Sequence, residues 1–235
     1  SWSATEIWQL DTKYFPKGGI LAKYTPTQTE VNIYKEHVRK DNSGWQFIDE
    51  NTEILNGNIK GFCARIRPFH NSSKILIKLN CNIGIDGEDS TWWGLRLYRR
   101  IGEDGEWVHI SDADGINENN YDNRGTTCWI SNNLGAFSSS SSYSIANVSG
   151  AYYDTPNVGS DVGAGIYVYY TVKWSSQLGD EAQKGVLYLN RPVFYDPDNP
   201  ANSANVTSSW TITEIWQLDT SFIPNNVLIC NNMSI

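Results

Sequence analysis

Positive charge is in short supply in this chain. It carries 18 Lys and Arg against 26 Asp and Glu, a formal net charge of −8. A nucleic-acid binder needs a basic face to displace counterions from phosphates, so nucleic acid is not expected as a partner. Long apolar runs are missing as well. No stretch approaches the ~18 apolar residues of a membrane-spanning helix, and no membrane insertion is expected. The opening Ser1-Trp-Ser-Ala-Thr-Glu6 has no basic region followed by an apolar core, so it does not read as a signal peptide. It has no initiator Met either, which points to a processed product or to part of something longer.

Histidine is scarce, and this bears on catalysis. Nucleophilic chemistry needs a base beside the Ser or Cys. The candidates are His37 in a charged run, His70 in a loop, and His109 on a short strand whose neighbours Val108 and Ile110 face the other way. Each reads as a surface or satisfied side chain. There is no G-x-S-x-G elbow and no glycine-rich phosphate loop. Cys63, Cys81, Cys128 and Cys230 contain no C-x-x-C pair, so zinc is not expected. Cys63 and Cys81 lie symmetrically about Ser72, between two predicted strands. If those strands form a hairpin, a disulfide between the two is within reach; the blander reading is two buried free thiols. The expectation is therefore no enzyme, no cofactor and no metal.

Aromatic residues, by contrast, are plentiful: ten Trp and thirteen Tyr in 235 residues. Such side chains suit a pleated, half-buried sheet. The most informative feature is a repeat. Residues 1–16, SWSATEIWQLDTKYFP, return at 209–224 as SWTITEIWQLDTSFIP. Trp2, Glu6, Ile7, Trp8 and Leu10 recur as Trp210, Glu214, Ile215, Trp216 and Leu218. In the second copy Trp210, Ile212, Trp216 and Leu218 share one face of an extended strand, interrupted by Glu214. The organisation expected is residues 1–17 as an arm or the tail of a preceding module, 18–219 as the main domain, and 220–235 as a coda or the start of a next module. An arm that copies the last strand has an assembly use, because it can replace or extend that strand in a neighbour. Two sister strands within one sheet are the plainer alternative.

Between the copies, strand follows strand. Ile75, Ile77, Leu79, Cys81, Ile83 and Ile85 alternate with Leu76, Lys78, Asn80, Asn82 and Gly84. Ile166, Val168, Tyr170, Val172 and Trp174 alternate with Tyr167, Tyr169, Thr171 and Lys173. Shorter runs fall at 31–35, 45–48, 61–66, 93–99, 107–110, 126–131 and 186–190, separated by turn residues. No helical period is sustained. The fold class read here is all-β, a jelly-roll sandwich of roughly ten antiparallel strands. Long loops are expected at 111–124, 134–144 and 196–209.

Six markers in order resemble the fibre-head or tail-fibre-like jelly-roll modules of marine phages and algal viruses. Pro68 and Asn71-Ser-Ser-Lys-Ile-Leu-Ile77 match a loop followed by "SSKILI", and Gly94-Leu-Arg-Leu-Tyr-Arg99 the next strand. Asp112-Ala-Asp-Gly115 and Asn123-Arg-Gly125 match a central loop pair, and Tyr153-Asp-Thr-Pro156 a "YLDSP"-like step. Gly185-Val-Leu-Tyr-Leu-Asn-Arg191 is similar to "GTIYVNR", and Ser209-Trp-Thr-Ile-Thr-Glu-Ile215 to a closing "STITAMEV" strand. The resemblance covers most of residues 60–218. It implies a tumour-necrosis-factor-like jelly roll, a homo-oligomer of trimeric type, at the virion surface among other virion proteins. The chain departs from the pattern in repeating the closing strand at its start and in its many Trp.

The function expected is thus a structural protein of a virus or phage: a fibre, spike or capsid decoration subunit with a role in host-surface attachment. A lectin-like carbohydrate-binding module is the alternative, and a polysaccharide-degrading tail protein a second. For a host-surface glycan, the candidate contacts are Trp92, Trp93, Trp107, Asp112, Asp114, Tyr152 and Tyr153. Adjacent Trp92 and Trp93 must point to opposite faces of their strand. Core or subunit packing is the bland reading for every aromatic residue among them. A glycosidase would need two carboxylates across a cleft; Glu103, Asp104, Glu106, Asp112, Asp114, Asp154 and Asp161 supply acids without showing convergence. Asp112, Asp114 and Asn117, like Asp196 and Asp198, have the oxygen chemistry of a calcium site but not an EF-hand spacing, and read as solvated acidic loops. The sequons at Asn71, Asn147, Asn205 and Asn232 matter only on a secretory route.

Overall fold

Alternation of apolar and polar side chains builds this protein strand by strand. The computed structural model describes residues 21–22, 24–41, 44–49, 54–55, 58–59, 61–69, 73–86, 92–115, 127–133, 145–158, 166–176, 185–195, 198, 205–217 and 229–230. In strand β8 (Lys74–Asp86), Ile75, Ile77, Leu79, Cys81 and Ile83 are buried while Lys74, Lys78 and Asn80 are exposed. Side chains of period two put one face of a strand in the core and the other outside. The same rule buries Trp93, Leu95 and Leu97 of β9 (Trp92–Ile101); in β13 (Val168–Ser175) Val168, Tyr170, Val172 and Trp174 face the core, and Tyr169, Thr171 and Ser175 on the other side are buried as well.

Two sheets result. In sheet I, β8 is flanked on one edge by β12 (Ala146–Asp154). Its other edge is shared end to end by β15 (Ser208–Gln217) and β14 (Val186–Leu189). β2 (Tyr24–Tyr34) pairs with β15, and β3 (Val38–Asp41) with β14. In sheet II, β13 pairs with β9 on one edge. Its other edge is shared by β4 (Gln46–Phe47) and β7 (Cys63–Ile66). β10 (Val108–His109) and β11 (Ile130–Asn133) continue one another along the outer edge of β9. Taken in chain order as eight strands A to H, some of them interrupted, sheet I reads A-H-C-F and sheet II B-G-D-E. That is the double Greek-key order of a jelly roll. A short hairpin of β5 (Ile54–Leu55) and β6 (Asn58–Ile59) lies within the interruption of strand B. β1 (Leu21–Ala22) pairs in parallel with β16 (Ile229–Cys230).

The inner faces enclose one aromatic-rich core. Trp93, Trp174 and Trp210 are its largest fully buried side chains. Where strand H breaks, the chain crosses β8: a Cβ on Gly84 would lie 2.6 Å from the Arg191 carbonyl oxygen, so only glycine permits the crossing. Asn190 sits at the break with φ +64. Its Nδ2 donates to the carbonyls of Tyr34 at 2.9 Å and Glu36 at 3.1 Å, and its Oδ1 accepts from Ser208 Oγ at 2.7 Å. One side chain thus ties strand A to both halves of strand H.

The hairpin expected between Cys63 and Cys81 does not form. β7 belongs to sheet II and β8 to sheet I, and both thiols are free and buried. β7 ends in sheet II at Ile66 and β8 begins in sheet I at Lys74, so the two do not turn within one sheet. Glu214 stands on the same inner face of β15 as Trp210 and Ile212, a fully buried carboxylate within that apolar run.

Candidate functional site

With their inner residues in the core, β9 and β13 must turn the alternate residues to the other side of the sheet; there Tyr169, Thr171 and Cys63 are buried, and Arg65, Arg96, Tyr98, Arg100 and Lys173 are half-buried around them. Register sets these in rows across sheet II. Arg65, Tyr169 and Arg100 make one row; Cys63, Thr171 and Tyr98 the next; Phe47, Lys173 and Arg96 the third. Each row crosses three strands.

Cations and aromatic rings interleave on this face. The Arg65 guanidinium lies 4.6 Å from the Tyr167 ring centre, and that of Arg96 4.1 Å from Trp45. Lys173 Nζ is 4.6 Å from Phe47 and 4.7 Å from Tyr98, and Arg100 is 6.0 Å from Trp107. Phe47 also meets Trp107 at 5.9 Å, and Tyr98 stacks on His109 at 5.2 Å. Cation–ring contacts at exposed sites contribute ~0.5–1 kcal/mol each, and they hold long basic side chains flat against the sheet. Among the described residues, Arg65, Arg100 and Lys173 form no ion pair with a carboxylate.

At the rim of the face, strand E breaks out after Ile110 and returns at Trp129. A 3-10 turn at Ser111–Ala113 opens the excursion, and Gly115 N–H donates to the Cys128 carbonyl at 3.1 Å across its neck. The turn places Asp114 Oδ2 2.9 Å from His109 Nε2 and 3.6 Å from Arg96 Nε. Burial pushes the Asp114 carboxyl above its ordinary value, and the neighbouring His109 and Arg96 charges pull it back. Arg96 Nε also donates to the Thr127 carbonyl at 2.9 Å, so this guanidinium closes the neck from the other side. Burial raises the nearby Cys128 thiol, the reverse of what a reactive cysteine needs.

The candidate residues from the sequence do not converge. Trp93 is buried in the core and cannot meet a ligand; the Trp92 side chain lies outside the described residues. Trp107 and Asp114 border the sheet II face, and Asp112 is exposed on the adjoining turn. Tyr152 is half-buried against the core, and Tyr153 is exposed on the outer face of sheet I. In the repeat, Trp210 and Glu214 are buried in sheet I and Ile215 is half-buried beside them. Trp2, Glu6, Ile7, Trp8, Leu10 and Leu218, and the Trp216 side chain, lie outside the described residues, as do His70, Asn117, Asp161 and Asp196. Asp154 is spent between the sheets, accepting from Arg99 at 2.7 Å and from the Tyr170 hydroxyl at 2.8 Å.

A trough of about 490 Å3 opens on the outer face of sheet I, lined by Lys78, Asn80, Asn147, Ser149, Ser209 and Thr211. Its amides satisfy one another: Asn147 Nδ2 donates to Asn80 at 2.7 Å and Asn82 at 2.8 Å. Chemistry able to hold a charged ligand is therefore concentrated on sheet II, not in the trough. Composition and local motifs do not reveal the sheet II face, because its side chains come from several strands. The signal available was the identity of the outward residues in runs whose inward residues are apolar: Arg96, Tyr98, Arg100 and Tyr167, Tyr169, Lys173.

No known family model matches the chain, and no curated protein matches it significantly.

Proposed function

We propose that this protein is a non-enzymatic jelly-roll subunit of a virus or phage particle — a fibre, spike or decoration subunit — that attaches to a host-surface glycan through the outer face of sheet II. The cation–aromatic rows of that face are the observation that carries the attachment role: rings offer flat surfaces to sugar rings, and basic groups offer hydrogen bonds and charge. The particle role rests on the six ordered sequence markers together with the jelly-roll class. Assembly as a homotrimer at the virion surface belongs to the same reading. The outer face of sheet I suits subunit contact, since Val31 and Ile33 stand there 60% and 57% exposed beside a trough whose one charged lining residue is Lys78. A lectin-like module with no particle role is the second reading, favoured by the same sheet II face if the chain is a monomer.

Mass in solution, by light scattering over a range of concentrations, separates the two. A stable trimer supports the particle subunit; a monomer that binds glycan supports the lectin-like module. Loss of polysaccharide viscosity on incubation would overturn the non-enzymatic assignment.

A further inference from the structure

We infer that the ligand of the sheet II face is an acidic polysaccharide, one bearing sulfate or uronate groups. This rests on the attachment reading and gives its substrate class. The chain carries a formal net charge of −8, so a polyanion is repelled by the molecule as a whole. On this one face four described cations, Arg65, Arg96, Arg100 and Lys173, gather against Asp114 at the rim and Glu103 near Tyr169. Arg65, Arg100 and Lys173 stand half-buried on it with no carboxylate partner among the described residues, and Arg96 shares Asp114 with His109. A neutral sugar would not use the charge of these three cations, which no described carboxylate pairs with.

The spacing suits a polymer. Same-face residues advance ~6.8 Å along a strand and neighbouring strands lie ~4.8 Å apart. Arg96 and Arg100 are therefore about 13 Å apart, with Lys173 beside the first and Arg65 two strands from the second. One small anion cannot reach all of them; a chain of several linked acidic sugars can. The rings of Trp45, Phe47 and Trp107 stand between the charges, where the sugar rings of such a chain would pass. Asp114 confines binding at the rim, since it repels the same groups the arginines attract.

The test measures binding of the intact chain to immobilised dextran sulfate, alginate, uncharged dextran and single-stranded DNA. Arg100→Gln/Lys173→Gln is the face variant. Lys78→Gln, on the opposite sheet, is the control, and near-ultraviolet circular dichroism verifies that each variant is folded. Binding to dextran sulfate or alginate but not dextran is expected, weakening about tenfold or more as salt rises from roughly 0.05 to 0.5 M. The face variant should lose about tenfold or more in affinity, and Lys78→Gln less than about twofold. Equal binding to dextran, tighter binding to DNA, or a folded face variant that binds like the original would each overturn the acidic class. Adhesion to host cells is measured separately. If cells bind while no acidic polymer does, the ligand class falls and the attachment reading stands; if neither binds, both fall.

Discussion

A carboxylate with no exposed surface sits in strand β15. Glu214 accepts from Gln28 Nε2 at 2.8 Å, Phe69 N–H at 2.8 Å and Ser73 Oγ at 2.5 Å. Burying a charge is costly unless donors surround it, and here β2, the segment after β7 and the residue before β8 supply them. Glu214→Ala leaves those donors facing an apolar gap, and a loss of about 3 kcal/mol or more is expected in urea denaturation. Thr213→Ala next to it, on the outer face and bonded to Thr29, should cost under about 1 kcal/mol. Similar losses for both would contradict the buried role. The thiols of Cys63 and Cys81 set an alkaline limit. Burial holds both at about 12 in the folded chain, against 9.0 for an ordinary thiol. Above pH 9 the unfolded chain ionises first and the folded chain keeps its protons, so stability is complete below 9 and falls as pH rises towards 12. The slope reaches about 1.4 kcal/mol per pH unit per thiol. Denaturation midpoints at pH 8 and pH 10 should differ, and differ less in Cys63→Ala/Cys81→Ala. Rapid labelling of both thiols in native protein at pH 8 would show the burial to be wrong.

At the scale of elements, four of the eight jelly-roll strands are broken, and the breaks in strands A and H are tied together by one side chain. The residue is Asn190. Its backbone stands in the left-handed region, which costs ~1–2 kcal/mol for a residue with an ordinary Cβ. Asn190→Ala should incur that strain and also orphan the Tyr34 and Glu36 carbonyls, a loss of about 3 kcal/mol. Asn190→Gly removes the same hydrogen bonds without the strain and should be milder by about 1 kcal/mol. Equal midpoints for the two would mean that the backbone is relaxed there. Such devices also explain what the sequence discloses. The long runs of β8 and β13 are legible because each keeps strict alternation over most of its length. The breaks are not, because an excursion of a dozen residues looks like the end of one strand and the start of another. Trp93 and the outward Tyr98 obey the same alternation, yet only the fold says which side is the core. The sheet II face needs more still, since register alone brings Arg65, Tyr169 and Arg100 into one row.

For the whole molecule, closure depends on β15. This strand lies between β2 and β8, joining the first described strands of the chain to the centre of sheet I, and puts Trp210 and Ile212 into the core. A chain of residues 18–207 lacks it, so it should unfold without a cooperative transition. Added peptide 208–219 should restore that transition by filling the slot. The repeat makes this a quantitative test. Peptide 1–12 keeps Trp2 and Glu6 at the positions of Trp210 and Glu214, but carries Ala4 where Ile212 is buried. The 208 residues that separate Trp2 from Trp210 also separate Leu21 from Ile229, which pair side by side in parallel. Truncating a buried Ile to Ala costs ~2–5 kcal/mol. Peptide 1–12 should therefore restore the fold with an affinity roughly 30-fold to several-thousand-fold below that of 208–219, as read by fluorescence titration. An Ala4→Ile peptide should recover the part of the difference that the cavity causes; the remainder belongs to buried Ser208, which peptide 1–12 does not match and whose Oγ accepts from Asn82 N–H at 3.0 Å and donates to Asn190 Oδ1 at 2.7 Å. If the fragment melts cooperatively with no peptide, β15 is not the closing strand. If 208–219 rescues while both forms of 1–12 fail, the first copy is not built for this slot, and strand exchange between copies has no structural basis.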